Sequence, residues 1–269
     1  MLPHLSRPFF WLTFFVVFAS PSRSQDLEFG LTGGGAYYLG DLNPGKHFQN
    51  TRLSYGALAR YNIDSRWAVR LAVMRGSVEA DATQGPPFIQ TLGLSFSSNI
   101  TDISAVAEFN FFPYFTGSER NRISPYIYAG VSLFFYNPRA GGVDLREMGT
   151  EGQKIGFEQR KVYSSYNFSI PFGLGVKISL AERLGLQVYW EMHKTFMDYL
   201  DDVSTTFYLD GSRIDKNSEA QYLSDPLMNH QPGMERGDPN TRDWFAFFGV
   251  ALTYKFNLPG SKKCKDLNH

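Results

Sequence analysis

Eight stretches of this chain alternate apolar and polar residues with a period of two, and the connections between them alternate short and long. Nothing else in the sequence restricts the fold as much. A period of two belongs to a strand with two unlike faces. The stretches run roughly over 27–38, 52–62, 66–76, 100–112, 123–136, 165–179, 183–195 and 243–256. In the second, Leu53, Tyr55, Ala57, Ala59 and Tyr61 oppose Ser54, Gly56, Arg60 and Asn62. In the seventh, Leu184, Leu186, Val188, Trp190 and Met192 oppose Gly185, Gln187, Tyr189, Glu191 and His193. The apolar faces carry no charge at mid-strand. The polar faces hold Gly, Ser, Tyr and single charges, which suits a confined interior better than open water.

Connection length decides between a soluble sandwich and a barrel. Strands two to three, four to five and six to seven turn through "NIDSR", "PYFTGSERNR" and "LAER", whereas the connections near 39–51, 77–99, 137–164 and 196–242 are long. A soluble domain has no reason to sort its loops by length. An outer-membrane barrel does, with short periplasmic turns, long outer loops and both termini in the periplasm. Closing eight strands also leaves no edge in lipid, where each unsatisfied backbone group costs several kcal/mol. The expected fold is therefore all-β, an eight-stranded antiparallel transmembrane β-barrel.

The rest of the chain fits that frame. "MLPHLSRPFFWLTFFVVFASPSRSQ" has a positive Arg7, an apolar run from Pro8 to Ala19 and small residues at Ser22 and Ser24, the build of a secretory signal. This predicts a removed leader over 1–24, a barrel over 25–256 and a periplasmic tail over 257–269, in the bacterial outer membrane. Aromatic residues make up 16% of the chain, as expected where girdles sit at both membrane interfaces. With 26 basic and 26 acidic residues there is no basic field for nucleic acid. Cys264 has no second cysteine to pair with, and the Asn-x-Ser/Thr matches at Asn99 and Asn167 carry no weight.

An eight-stranded barrel has room inside only for its own side chains. By parity the interior receives Glu28, Arg60, Arg70, Glu108, Lys177, Glu191, His193 and Lys255. Isolated charges there would be prohibitive, so the expectation is a mutually paired plug rather than a channel. Glu28 and Lys255 are expected to meet where strands one and eight close. Glu191 beside His193 could be an acid/base pair of a lipid A-modifying enzyme, a metal site or lumen lining. With no nucleophilic serine in a recognisable motif, lining is the reading taken.

Asp198, Asp201, Asp202 and Asp210, in "MDYLDDVSTTFYLDG", could offer oxygen ligands to a divalent cation, but their spacing is not that of the calcium loop. "GLTGGGAYYLGDL" is glycine-rich without a helix to follow, so close strand approach explains it better than a nucleotide. No catalytic, cofactor-binding or metal site and no small-molecule substrate is expected.

"GGGAYYLGDLNP" after the first strand, "SPYIYAGVSLFFYNP" at the fifth and "KTFMDYLDDVS" after the seventh together resemble the PorG-like outer-membrane barrels of Bacteroidetes. The matching positions are Tyr38, Gly40, Asp41, Tyr199, Asp201, Asp202 and Val203. The resemblance implies a non-enzymatic component of the type IX protein secretion system, which in some species supports gliding. It further implies that the barrel tethers a periplasmic ring, built of a lipoprotein and its partner protein, to the outer membrane. The matching positions fall at the outer end, so a periplasmic tether would use the short turns or the tail with Lys262, Lys263 and Lys265. A structural or adhesive barrel acting through its outer loops is the alternative, and a lipid A-modifying enzyme the third.

Overall fold

The computed structural model describes residues 26–257. The expected leader, Cys264 and the lysine tail lie outside the described residues. Eight long strands form the wall: β1 (Asp26–Leu39), β2 (Arg52–Asn62), β3 (Trp67–Asp81), β4 (Ser95–Asn110), β5 (Ile123–Phe135), β6 (Tyr166–Ser179), β7 (Leu184–Thr195) and β8 (Trp244–Asn257). Each pairs antiparallel with its neighbours in the chain, and β1 pairs with β8, so the sheet closes on itself. No wall strand is left with an open edge.

The outward faces carry Phe29, Leu31, Leu53, Leu71, Val131, Phe168, Leu174, Val250 and Leu252, all exposed. Leu31 and Leu53 are each 73% exposed, while Thr32 and Ser54 beside them are at most 8% exposed. A continuous apolar surface of this size has no place in water, and it makes the barrel a membrane-spanning one. Aromatic pairs gather near the short-turn end, Trp67 with Phe109 at 4.9 Å and Phe29 with Phe256 at 5.6 Å between ring centroids.

Two strands run further than expected. The second long connection was expected over 77–99, yet β3 continues to Asp81 and β4 begins at Ser95, leaving only 82–94 between them. The reason is that the alternation changes its sense above the membrane. Val78, Ala80, Phe96 and Ile100 point inward and are buried, while Ser95, Ser97 and Asn99 point outward into water. A search for an apolar outer face stops too early there.

The long connections fold into a cap. In the third, a short ribbon of Pro138–Ala140 and Val143–Asp144 adds to β4, and a one-turn helix, Leu145–Met148, follows. Inward residues of the upper wall, including Tyr38, Met74, Phe134, Phe245 and Phe247, share one apolar core with Leu42, Ile89, Leu145, Leu200 and Val203 of the connections. Barrel and cap are thus packed as one body. At the opposite end, the turn 111–122 folds back beneath the lumen, where Tyr114 and Thr116 are buried.

Gly34 of β1 serves the closure through close strand approach. Gly34 faces Gly249 across the β1–β8 seam, and a Cβ there would lie 1.9 Å from the Phe248 carbonyl oxygen; at Gly33 a Cβ would meet nothing within 4 Å. Gly34→Val should therefore abolish assembly, read as loss of the heat-modifiable folded band on a denaturing gel. Gly33→Val should assemble.

Candidate functional site

Two polar constellations deserve a functional reading: the charges in the lumen and the acids in the cap. In the lumen the pleat sends alternate residues inward, and the strand register stacks them within reach of one another. Glu108 of β4 is the hub. Its carboxylate lies 2.7 Å from Arg60 Nε, 2.9 Å from Arg70 Nε and 2.7 Å from Lys177 Nζ. Arg60 continues to Glu28 at 2.9 Å, and Arg70 to Glu191 at 2.6 Å. Glu191 Oε1 meets His193 Nε2 at 3.0 Å, and His193 Nδ1 lies 3.6 Å from Asp102. These groups are at most 3% exposed. Arg70 also covers the Tyr128 ring, 4.6 Å from its centroid, and Lys177 the Tyr126 ring at 4.7 Å. The arrangement is a continuous chain of opposite charges filling the lumen.

Seven of the eight charged residues placed inside by parity join this chain; Lys255 does not. The expected Glu28–Lys255 pair is absent although the two residues face each other across the seam. The register also sets Arg60 opposite Glu28, from the other side. The forked guanidinium can serve Glu28 and Glu108 together, which an ammonium at the rim cannot. Glu28 Oε1 is taken by Asn62 Nδ2 at 3.0 Å and Thr116 Oγ1 at 2.8 Å. Lys255 instead sits 3.9 Å from Asp26 and donates to the Thr116 carbonyl.

Ser132, Ser169 and Gln187, on the polar faces, are lumen residues as well, and so is Asp102, which the polar-face pattern did not include. Stepping back by two from Ser104 would have found Asp102. Ser169 is the consequential one, since its Oγ lies 3.0 Å from His193 Nδ1. Ser169, His193 and Glu191 therefore follow the order of a serine–histidine–acid relay. Their surroundings do not fit that chemistry. Glu191 is shared with Arg70, Ser169 Oγ is 2.6 Å from Ser132 Oγ, and the imidazole is stacked on Phe245 at 4.3 Å. Ser169 is 2% exposed and His193 0%, which leaves a substrate carbonyl no approach.

The seven positions of the family resemblance converge in the cap. Tyr38 Oη lies 2.5 Å from Asp201 Oδ2 and 3.0 Å from Asp243 Oδ1. One hydroxyl proton serves only one of these carboxylates, so a retained acid proton must serve the other. Gly40 leaves this contact room, because a Cβ there would lie 2.1 Å from both Tyr38 Oη and Asp243 Oδ1. Asp41 Oδ1 accepts from the Asp238 backbone N–H at 3.3 Å. Tyr199 stacks on Tyr163 at 4.7 Å and donates to Glu151 at 3.1 Å. Asp202, in the left-handed region at φ 66°, accepts from Tyr163 Oη at 2.6 Å and from Thr150. Val203 packs in the shared apolar core.

Glu151 and Arg236, paired at 3.1 Å and buried, complete the knot. Glu151 also accepts from the backbone N–H groups of Ser204 and Thr205 at 2.9 and 3.1 Å. They stand 85 positions apart in the chain, so no local pattern could have joined these two. The four acids weighed as cation ligands do not converge. Asp198 accepts from Ser204 Oγ at 2.7 Å, Asp201 and Asp202 take different partners, and Asp210 caps its own one-turn helix. Among the described residues no group of three or more His, Cys, Asp or Glu has the geometry to hold a metal ion.

Crowding these acids raises their proton affinity. Burial, together with the nearby acids Asp198, Asp238 and Glu151, pushes Asp41 up to about 7. Burial likewise lifts Asp198 to about 6, and Asp202 to about 6 against the pull of Arg236. Burial, with Asp243 and Asp41 nearby, drives Asp201 well up, and burial with Asp198 and Asp41 nearby does the same to Asp243.

Two predictions follow from these constellations. Glu108→Ala leaves three buried cations without their shared anion, and breaking a buried pair costs roughly 3–5 kcal/mol. Urea unfolding in detergent micelles should show at least that loss. In the cap, groups with raised affinity bind more protons folded than unfolded, so their contribution is complete below about pH 4 and declines as pH rises through about 6 to 7. Hydrogen-exchange protection of residues 198–204 and 236–243, taken relative to the intrinsic exchange rate at each pH, should accordingly fall between pH 5 and pH 8.

Comparison with known proteins adds the following. Residues 7–265 match the family model described as a domain of unknown function, DUF6089. No curated protein sequence matches the chain. Among solved structures, it is similar to Ail, the attachment invasion locus protein of Yersinia pestis, in complex with the heparin analogue sucrose octasulfate. That likeness has 8% identity over 86% of this chain and 99% of the other, with a TM-score of 0.43. Neisserial surface protein A is similar at 13% identity over 86% and 97%, TM-score 0.42. The outer membrane protein OprG from Pseudomonas aeruginosa is similar at 12% identity over 87% and 98%, TM-score 0.39.

Proposed function

The chain belongs to the DUF6089 family, and from that premise we propose that it is a non-enzymatic outer-membrane barrel that anchors or scaffolds the periplasmic ring of the type IX secretion and gliding machinery. The observation that carries the scaffold reading is the solid interior. The lumen charges are consumed by one another and most of the cap acids by buried partners, so the interior offers neither a path nor an open reactive group. The finer assignment rests on the resemblance at Tyr38, Gly40, Asp41, Tyr199, Asp201, Asp202 and Val203. Those positions lie within the cap, at the end opposite the ring. The ring lipoprotein and its partner would then bind at the short turns. Of these, 111–122 is the best suited, since its body is tied to Glu28 through Thr116 at 2.8 Å while Glu119, Arg120 and Arg122 stay exposed.

A structural or adhesive barrel working through its outer surface is the second reading, favoured by the rigid packing of the cap. The relay-like order of Ser169, His193 and Glu191 supports a lipid A-modifying enzyme, but their burial opposes it.

The test is a mild-detergent pull-down from outer membranes with a tag at Pro232, which lies in an exposed segment. Recovery of the ring lipoprotein and its partner is expected, reduced by charge reversal at Arg120 and Arg122 and unchanged by alanine at Lys216 and Asn217, exposed in the outer connection. Recovery of the barrel alone, with secretion intact in a deletion strain, would favour the second reading.

A further inference from the structure

Tyr37 points out of the barrel wall, toward lipid by the parity of β1, yet it is 0% exposed. The connection after β1 folds down over the outside of the wall and covers it. His47 Nδ1 lies 2.9 Å from Tyr37 Oη, and the Phe48 ring is 4.9 Å from Tyr37 and 5.0 Å from Phe248 of β8. Trp190 of β7 donates to Tyr37 Oη at 2.9 Å. The strap is fixed at its base by Asn43, which donates to the Tyr38 and Lys46 carbonyls at 2.8 and 2.9 Å. Lys46 Nζ, in turn, donates to the Gln84 carbonyl at 2.9 Å and ties the strap to the next connection.

Beside the strap lies a cavity of about 1030 Å³. Its floor is made of Leu39, Met192 and Trp244, outward residues of β1, β7 and β8. It therefore opens on the same face as the apolar belt and is continuous with the lipid-facing surface. The connections 82–94 and 196–243 roof it, with Phe88 and Leu92 extending the apolar lining. At its polar end is Asp41, whose Oδ2 is buried and lacks a hydrogen-bond partner. Arg242 lines the cavity, and Lys194, also exposed and outward, reaches over the Trp244 ring, 5.8 Å from its centroid. A largely apolar cleft of this size with a few convergent polar groups is the form of a small-molecule site.

We propose that this cavity holds one acyl chain of an outer-leaflet lipid. The chain lies on Leu39, Met192 and Trp244. A phosphate of its headgroup sits near Lys194 and Arg242. Continuity with the belt commits the site to lipid from the surrounding leaflet, because a chain can enter sideways without crossing water.

Native mass spectrometry of the full chain, extracted from outer membranes in mild detergent, tests this. The wild-type protein should retain one membrane-lipid mass per chain. Thr91→Trp and Thr241→Trp, which fill the cavity from exposed positions, should lose it, whereas Val188→Trp on the open belt should keep it. Heat-modifiable mobility checks that each variant is folded. Retention by both folded cavity variants would overturn the proposal, as would an adduct of detergent or free fatty acid alone. A second measurement needs no variant: with deuterated phospholipid vesicles, one lipid per chain should exchange slowly. Uniformly fast exchange would also overturn it.

Discussion

Everything in this barrel depends on how Glu108 is satisfied. A carboxylate in a closed eight-stranded lumen is tolerable only if opposite charge reaches it in good geometry, and here Arg60, Arg70 and Lys177 all lie within 2.9 Å. Three cations exceed what one anion can neutralise, so the network must spread, to Glu28 below and to Glu191 above. Once it has spread, the lumen is full. The same interactions that make the charges affordable thus remove any channel and hold β1, β2, β3, β4, β6 and β7 together from within.

Above His193 the interior changes character. Phe245 and Phe247 take over from the charges, and the apolar core they begin runs on into the connections without a gap. Hydrophobic packing needs no fixed pairing of neighbours, and it lets four chain segments of different lengths share one centre. Polar groups then set the register of the cap: Tyr38 between Asp201 and Asp243, and Glu151 between Arg236 and the Ser204 and Thr205 amides. Because several of these acids keep their protons, the cap tightens where external pH is low.

The wall was readable from the chain because a period of two needs no partner to be recognised, and the loop lengths then fixed which end was which. Seven lumen charges followed from parity alone. What parity cannot say is how far a side chain reaches, and so Glu28 was assigned to Lys255 when Arg60 was the better donor. Nor can it see a change of solvent along one strand. Val78 and Phe96 are inward residues of β3 and β4 in a region whose outer face is polar, and the strands were ended short of them. Tyr37 failed in the opposite direction, being outward yet covered by His47 and Phe48. The Glu151–Arg236 pair left no trace, since the contact is made by tertiary folding between connections with no shared period.

The place of the resemblance within the fold also restricts what it can mean. Tyr38, Asp201, Asp202 and Val203 are buried, and none offers a surface to another molecule. A side chain in that situation acts through the fold that it stabilises. Between it and the periplasmic turns stands a filled lumen, in which a movement at one end would have to shift charges held at 2.6 to 2.9 Å. Substitution at those positions therefore changes the amount and order of capped barrel, while the turn 111–122 can present Glu119, Arg120 and Arg122 unaltered. The two ends are separate in chemistry: the outer one answers to protons and lipid, and the inner one presents exposed charge on a short, braced turn.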